Sequence, residues 1–297
     1  MNSTAAALPR PVPLSTLTLF CLLATWLIWG STYLTIRFAL AGFAPFFLMA
    51  TRFIAAGGLL LIWQLARGLP MPTLREWRNA LLIGTMMLGG GMGGAAYAEQ
   101  TIASGLVVAF IAVTPLVLVL INLAFKVYPS RSDLLAGSVG LAGVIMLTRG
   151  AGFHASPAGL LAMCIGCAGW SLGSVLSQRQ WTLAPGATGF ASEMLCGGLA
   201  LLLVSALAGE SWQPTTLAMP WLAWAYLVVF GSLIAFNAYM ILLARTSTSV
   251  ASSYTLVNPI VGLLLGVTLG HEIVSTWEWT AAGVVILGVA LLFIGRR

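Results

Sequence analysis

The spacing of the charges restricts this chain more than any motif in it. Between Arg10 and Arg37 there are 26 uncharged positions, between Arg78 and Glu99 20, and between Glu99 and Lys126 26. Arg149 to Arg179 leaves 29, Glu210 to Arg245 leaves 34, and Arg245 to Glu272 leaves 26. A helix needs about 20 apolar residues to cross a hydrocarbon core of about 30 Å, so each gap can hold one span. All told, 13 Lys+Arg and 7 Asp+Glu serve 297 residues, or 7% charged. Soluble domains carry about 25%. Disorder needs low hydrophobicity and high net charge, whereas 60% of this chain is hydrophobic. The solvent is a bilayer.

The expected fold is all-α, an integral membrane protein of ten transmembrane helices at roughly 14–38, 44–66, 77–98, 103–125, 132–149, 157–178, 187–208, 218–243, 248–270 and 276–295. A β-barrel would show alternating segments of about 10 residues instead of continuous apolar runs. With a cytoplasmic N-terminus, inside segments hold ten basic residues: Arg10, Arg67, Arg75, Arg78, Lys126, Arg131, Arg179, Arg245, Arg296 and Arg297. Outside segments hold only Arg37 and Arg149, and Arg52 lies within helix 2. The positive-inside rule then places both termini in the cytoplasm. The first apolar run is too long for a cleaved signal and reads as helix 1. Asn2-Ser3-Thr4 matches a glycosylation sequon on the cytoplasmic tail, where it is a chance match. The four cysteines fall inside spans. Cys164-x-x-Cys167 has no second pair and no nearby His, so no metal or redox cofactor is expected.

The second half repeats the first. Gly30-Ser31 aligns with Gly173-Ser174, Arg52 through Gly57 with Glu193 through Gly198, Thr114-Pro115 with Asn258-Pro259, and Asp133 through Gly143-Val144 with Glu278 through Gly288-Val289. The expected organisation is a tail (1–13), a first five-helix repeat (14–149), a second (150–295) and a short end (296–297). Five is odd, so the repeats enter the membrane from opposite sides. Secondary transporters are often built from such inverted repeats, with the substrate bound near the midplane between them.

Trp29-Gly30-Ser31-Thr32-Tyr33, Arg52-Phe53 with Ala56-Gly57, Thr114-Pro115, Asn258-Pro259 and the Glu272 region resemble the EamA-domain family of the drug/metabolite transporter superfamily, over essentially the whole chain. The likeness is to bacterial inner-membrane exporters of the YddG/YedA type. It implies two EamA repeats, cytoplasmic termini, and export of amino acids or similar metabolites.

Several residues are candidates for the transport site. Pro115 and Pro259 sit mid-span in helices 4 and 9, where each removes a backbone donor and frees the carbonyl four residues earlier, at Ile111 and Thr255. They are kink or gating candidates, with simple packing kinks as the alternative. Trp26, Trp29 and Tyr33 share a face of helix 1, and Tyr254 and Asn258 share one on helix 9. Tyr97, Thr114, Trp170, Ser174 and Asn237 complete the expected cavity lining. An aromatic belt at the membrane surface explains most other Trp residues. Burying Arg52 costs about 2.5–3.5 kcal/mol, so it and its repeat counterpart Glu193 are expected to pair, to snorkel, or to hold opposite ends of a zwitterion. Glu99 is an outer gate or proton acceptor, or else a solvated loop charge.

Gly89 through Gly94 contains GxGxxG, but no strand precedes it, so close helix packing is the better reading. An intramembrane protease built on Ser104 would need a helix-borne His, while His154 and His271 fall in loops. No charge ring or filter loop suggests a channel, and no P-loop suggests ATP use. Helix 1 carries no acid between Leu14 and Arg37, which disfavours the lipophilic-cation antiport of small multidrug proteins. The reading is a secondary transporter, with no enzyme activity and no cofactor, exporting neutral or zwitterionic metabolites. Broad-specificity drug efflux is the alternative. Expected partners are the lipid bilayer and a small-molecule substrate, with no nucleic acid. Monomer and homodimer are both compatible.

Overall fold

The computed structural model describes residues 15–150, 156–213, 215–246, 250 and 253–294. Asn2-Ser3-Thr4, Arg10, His154, Arg296 and Arg297 lie outside them. Ten helices follow one another: α1 (Thr16–Leu40), α2 (Pro45–Ala66), α3 (Leu74–Ala98), α4 (Ser104–Ala124), α5 (Arg131–Thr148), α6 (Pro157–Arg179), α7 (Ala187–Leu207), α8 (Ala218–Tyr226, continued to Arg245), α9 (Tyr254–Thr268) and α10 (Thr276–Ile294). The first eight are each long and apolar enough to cross a membrane, and α9 and α10 are shorter apolar helices. The chain is a multi-pass, all-helical membrane protein.

The helix starts are written into the sequence as caps, which satisfy amides that have no partner in the first turn. Ser15 Oγ accepts from Thr18 N at 3.2 Å, and Ser156 Oγ accepts from Gly159 N at 3.0 Å, ahead of Pro157. Thr73 with Glu76, and Ser130 with Asp133, form reciprocal capping boxes. Ser275 and Glu278 exchange the same bonds. The boxes at Ser130–Asp133 and Ser275–Glu278 open α5 and α10 at equivalent places in the two repeats.

Packing follows the inverted symmetry. Helix α2 lies against α7, and α5 against α10. At the first crossing a Cβ on Gly57 would meet Ala191 O at 2.8 Å, while one on Gly198 would meet Ile54 N at 3.0 Å. At the second, a Cβ on Gly143 would meet Val285 N at 2.6 Å and one on Gly288 would meet Gly140 N at 2.5 Å. Gly57 and Gly198 are repeat counterparts, as are Gly143 and Gly288, so each pair makes one contact twice. Small residues admit such backbone approach in membrane helices. The opening helix of each repeat packs on the other repeat: α1 on α8 and α9, and α6 on α3 and α4.

Two features depart from regular α-helix. Thr85–Met92 in α3 and Leu227–Ile234 in α8 are π-helical. They fall at matching places in the repeats, and the first takes in Gly89–Met92 of the glycine run, whose Gly94 packs closely on α6 as expected, an added Cβ meeting Ala162 O at 2.5 Å. Helix α4 is interrupted at Ala112 and Val113, giving Ser104–Ile111 and Thr114–Ala124. In α9, by contrast, Pro259 lies inside a continuous helix. That helix is described from Tyr254, later than the expected start at 248, and residues 247–249 and 251–252 lie outside the described set.

Candidate functional site

Wider π turns change the backbone bonding within a helix and are frequent at functional sites. In α8 the π segment gathers side chains from two other helices. Trp29 Nε1 on α1 donates to Gly231 O at 3.0 Å. Arg52 Nε on α2 donates to Ser232 Oγ at 3.0 Å. Gly231 makes the meeting possible, since a Cβ there would lie 3.0 Å from Arg52 Nη2 and 3.1 Å from Thr32 Cγ2. Arg52 is 3% exposed. Its Nη1 lies 3.9 Å from Met49 Sδ, and Nη2 has no hydrogen-bond acceptor among the described residues. Tyr33, one turn beyond Trp29, is within electrostatic reach of Arg52 and Glu99.

Glu193 is not the partner of Arg52. Among the described residues the one ion pair joins Arg37 and Glu272. The reason is geometric: inversion sets counterparts at equal depth on opposite sides of the midplane. Arg52 lies on the Gly198 side of the α2–α7 crossing and Glu193 on the Gly57 side, about 7 Å apart along the axis at 1.5 Å per residue. Glu193 is 5% exposed and borders α3, where its carbonyl would lie 2.5 Å from a Cβ on Gly84.

Trp26, Trp29, Tyr254 and Asn258 come together. Trp26 Nε1 donates to Ser253 Oγ at 3.0 Å. With its amide nitrogen toward the carbonyls, Asn258 donates to Trp26 O and Tyr254 O at 3.2 Å. The Trp29 ring lies 4.8 Å from Tyr254 and 5.3 Å from Tyr239, and Phe236 and Phe190 extend the group at 3.9 Å from each other. In the other half, Thr114 Oγ1 donates at 2.6 Å to Ile111 O, the carbonyl that Pro115 frees. Ser171 Oγ donates to Thr114 O at 3.2 Å, tying the break in α4 to α6. Trp170 covers Gly91 in the π segment of α3, and Ser174 Oγ donates to Trp170 O at 2.6 Å.

Two expected lining residues lie elsewhere. Asn237 donates to Leu233 O at 2.6 Å and borders a groove of about 450 Å³ formed by α1 and α8. Tyr97 stacks on Phe46 at 5.6 Å and lines a cavity of about 430 Å³ with Leu40, Phe43, Gln100 and Glu210. Glu99, at the end of α3, is 4% exposed. Glu99 is therefore not the solvated loop charge that was one expectation for it.

The two ends of the bundle differ in charge. Helix ends at one face carry Arg67, Arg75, Arg78, Lys126, Arg131, Arg179 and Arg245, with Glu76 and Asp133 in caps. The opposite face carries Glu99, Glu210, Glu272 and Glu278 with Arg37 and Arg149. The 430 Å³ cavity opens at this acidic end. The aromatic group from Trp29 to Phe190 fills the half toward the basic end.

Tyr239, Phe236, Ser171 and Ser232 were not anticipated. The weak signal for Ser232 was the Gly231-Ser232 pair inside a long apolar run; the others read as ordinary span residues.

Residues 16–149 and 157–294 each match the model of the EamA-like transporter family. The chain is 40% identical to the inner-membrane transporter YedA of Escherichia coli K12, covering 93% of this chain and 90% of that protein. It is 26% identical to a transporter of Synechocystis, covering 93% and 89%. A solved crystal structure 24% identical in sequence has a TM-score of 0.66 over 96% of this chain and 100% of that one, a likeness of fold.

Proposed function

The chain belongs to the EamA-like transporter family, and from that premise we propose that this membrane transporter exports small zwitterionic metabolites, amino acids foremost. The observation that carries the reading is Arg52. It is a buried guanidinium held through Nε by the π segment of α8, with Nη2 unclaimed among the described residues. A charge at that depth needs a function or a partner, and a guanidinium edge suits a carboxylate. The rings of Trp29 on α1, Tyr239 on α8 and Tyr254 on α9 pack beside one another, and such rings offer an apolar body with a polar tip. Inverted repeats rocking about a midplane site would alternate access. The basic end is cytoplasmic by the positive-inside rule, so both termini lie inside, and the membrane is the bacterial inner membrane as for YedA.

The test is counterflow in proteoliposomes with labelled phenylalanine and threonine, each competed by its decarboxylated amine. The amino acids are expected to exchange, the amines to compete poorly, and Arg52→Gln to lose exchange. Transport of lipophilic cations such as ethidium, with no amino-acid exchange, would instead establish broad drug efflux.

A further inference from the structure

Glu99 directly follows the last residue of α3, at the acidic end. It is buried, and among the described residues neither carboxylate oxygen has a hydrogen-bond partner. The position compounds the problem, because the negative end of a helix dipole disfavours an anion. The groups within electrostatic reach are Arg37 and Tyr33 from α1 and Glu272 from the α9–α10 connection. Cys167 of α6 and Arg52 of α2 act on Tyr33. Burial, reinforced by the charge of Glu272 and opposed by Arg37, holds the Glu99 carboxyl well above the ordinary carboxylate range.

Arg37 is already taken. Its Nη1 donates to Glu272 Oε1 at 3.1 Å. Glu272 also accepts from Ser104 N at 2.8 Å, Ser104 Oγ at 2.7 Å and Gly105 N at 3.1 Å. Two carboxylates thus share the reach of one guanidinium. The one with four donors holds it, and the other is left with none. A buried carboxyl without a partner persists by keeping its proton.

We propose that Glu99 is a proton-binding site that couples transport to the proton gradient, by competing with Glu272 for Arg37. In the arrangement seen here Glu99 is the neutral acid and Arg37 belongs to Glu272. Breaking the Glu99 O–H bond releases one proton toward water in the cavity that its neighbours Tyr97 and Gln100 line, and leaves a carboxylate. That carboxylate draws Arg37 from Glu272 and loosens the tie between α1 and the start of α4. Rebinding of the proton restores it. The coupling role rests on the transporter reading above; the proton site itself does not.

Infrared difference spectra of the full chain in liposomes, taken from neutral to alkaline pH, read the site without any substrate. The wild type is expected to lose a protonated-carboxyl C=O band that Glu99→Gln lacks throughout and Glu193→Gln keeps. Glu99→Asp, with its carboxyl one methylene back, keeps the band at a shifted midpoint and serves if Glu99→Gln fails to fold. A Glu99→Gln spectrum identical to wild type overturns the proton site. In proteoliposomes, a pH gradient is expected to drive phenylalanine accumulation in the wild type. Glu99→Gln should keep exchange at equal pH and lose the accumulation. Accumulation by Glu99→Gln at the wild-type level overturns the coupling. If the wild type moves no phenylalanine at all, the substrate reading fails, while the infrared result still decides the proton site.

Discussion

The guanidinium of Arg37 and the carboxylate of Glu272 meet at 3.1 Å from opposite repeats, with the Glu272 side chain almost wholly buried and that of Arg37 42% exposed. Glu272 accepts three further hydrogen bonds, from Ser104 N, Ser104 Oγ and Gly105 N. One residue of the second repeat therefore caps α4 of the first and anchors α1 beside it. Capping amides with a carboxylate uses both the hydrogen bonds and the helix dipole.

The room for that carboxylate is made by glycine. A Cβ on Gly266 would run into Glu272 Oε2. Gly266→Ala is expected to cost about 1–3 kcal/mol, as overpacking usually does. Among the described residues, nothing lies within 4 Å of a Cβ added to Gly283. Gly283→Ala is expected to match or exceed wild-type stability, since Ala is the better helix former by up to about 1 kcal/mol. Thermal unfolding in detergent compares the two, and equal midpoints would refute the steric account.

Glu210 plays a similar part for α2. It accepts from Phe46 N at 3.1 Å and Phe47 N at 2.8 Å. Glu210→Ala should destabilise by about 0.5–2 kcal/mol, the usual range for a lost cap. Glu210→Gln, which keeps an acceptor oxygen, should lose less. Chemical unfolding of the three proteins ranks them, and an alanine variant as stable as wild type would show that water replaces the cap.

Trp29→Phe keeps an aromatic ring beside Tyr254 and Tyr239 but removes the donor to Gly231 O. The lost bond is worth about 0.5–1.5 kcal/mol net. The variant is expected to fold and to exchange substrate more slowly, because the π segment of α8 loses its tie to α1. Initial rates of counterflow check this; rates equal to wild type would remove Trp29 from the machinery.

Topology is open to direct labelling. Arg75 and Arg149 are both exposed, at the basic and acidic ends respectively. With the native cysteines replaced, a cysteine at 149 is expected to react with an impermeant maleimide from outside intact cells. One at 75 should react only after permeabilisation. Reaction of both from the same side would overturn the assignment.

The helices were legible because the bilayer demands long uncharged runs, and gaps such as Glu210 to Arg245 meet that demand in the raw sequence. The repeat was legible from short matches such as Gly57 with Gly198, because close helix contact forces glycine at both counterparts. The π segments were not, since one extra residue in a turn leaves no distinct pattern among uniformly apolar side chains. The choice between gate and solvated charge at Glu99 was not legible, because its burial is decided by α1 and by Glu272, far away in sequence. Pairing Arg52 with Glu193 followed the alignment and overlooked the depth that inversion imposes.

The break in α4 has no counterpart in α9, which runs on through Pro259. A two-fold axis in the membrane plane exchanges the two aqueous compartments. A molecule that obeyed it strictly would present the same face to both and could favour neither. Sidedness at any instant must therefore be stored as a departure from symmetry. Here the departure sits at the counterpart prolines, together with a cavity at the acidic end and aromatic rings packed toward the basic one. On the alternating-access reading proposed above, that flaw in the symmetry is the record of which way the protein is turned.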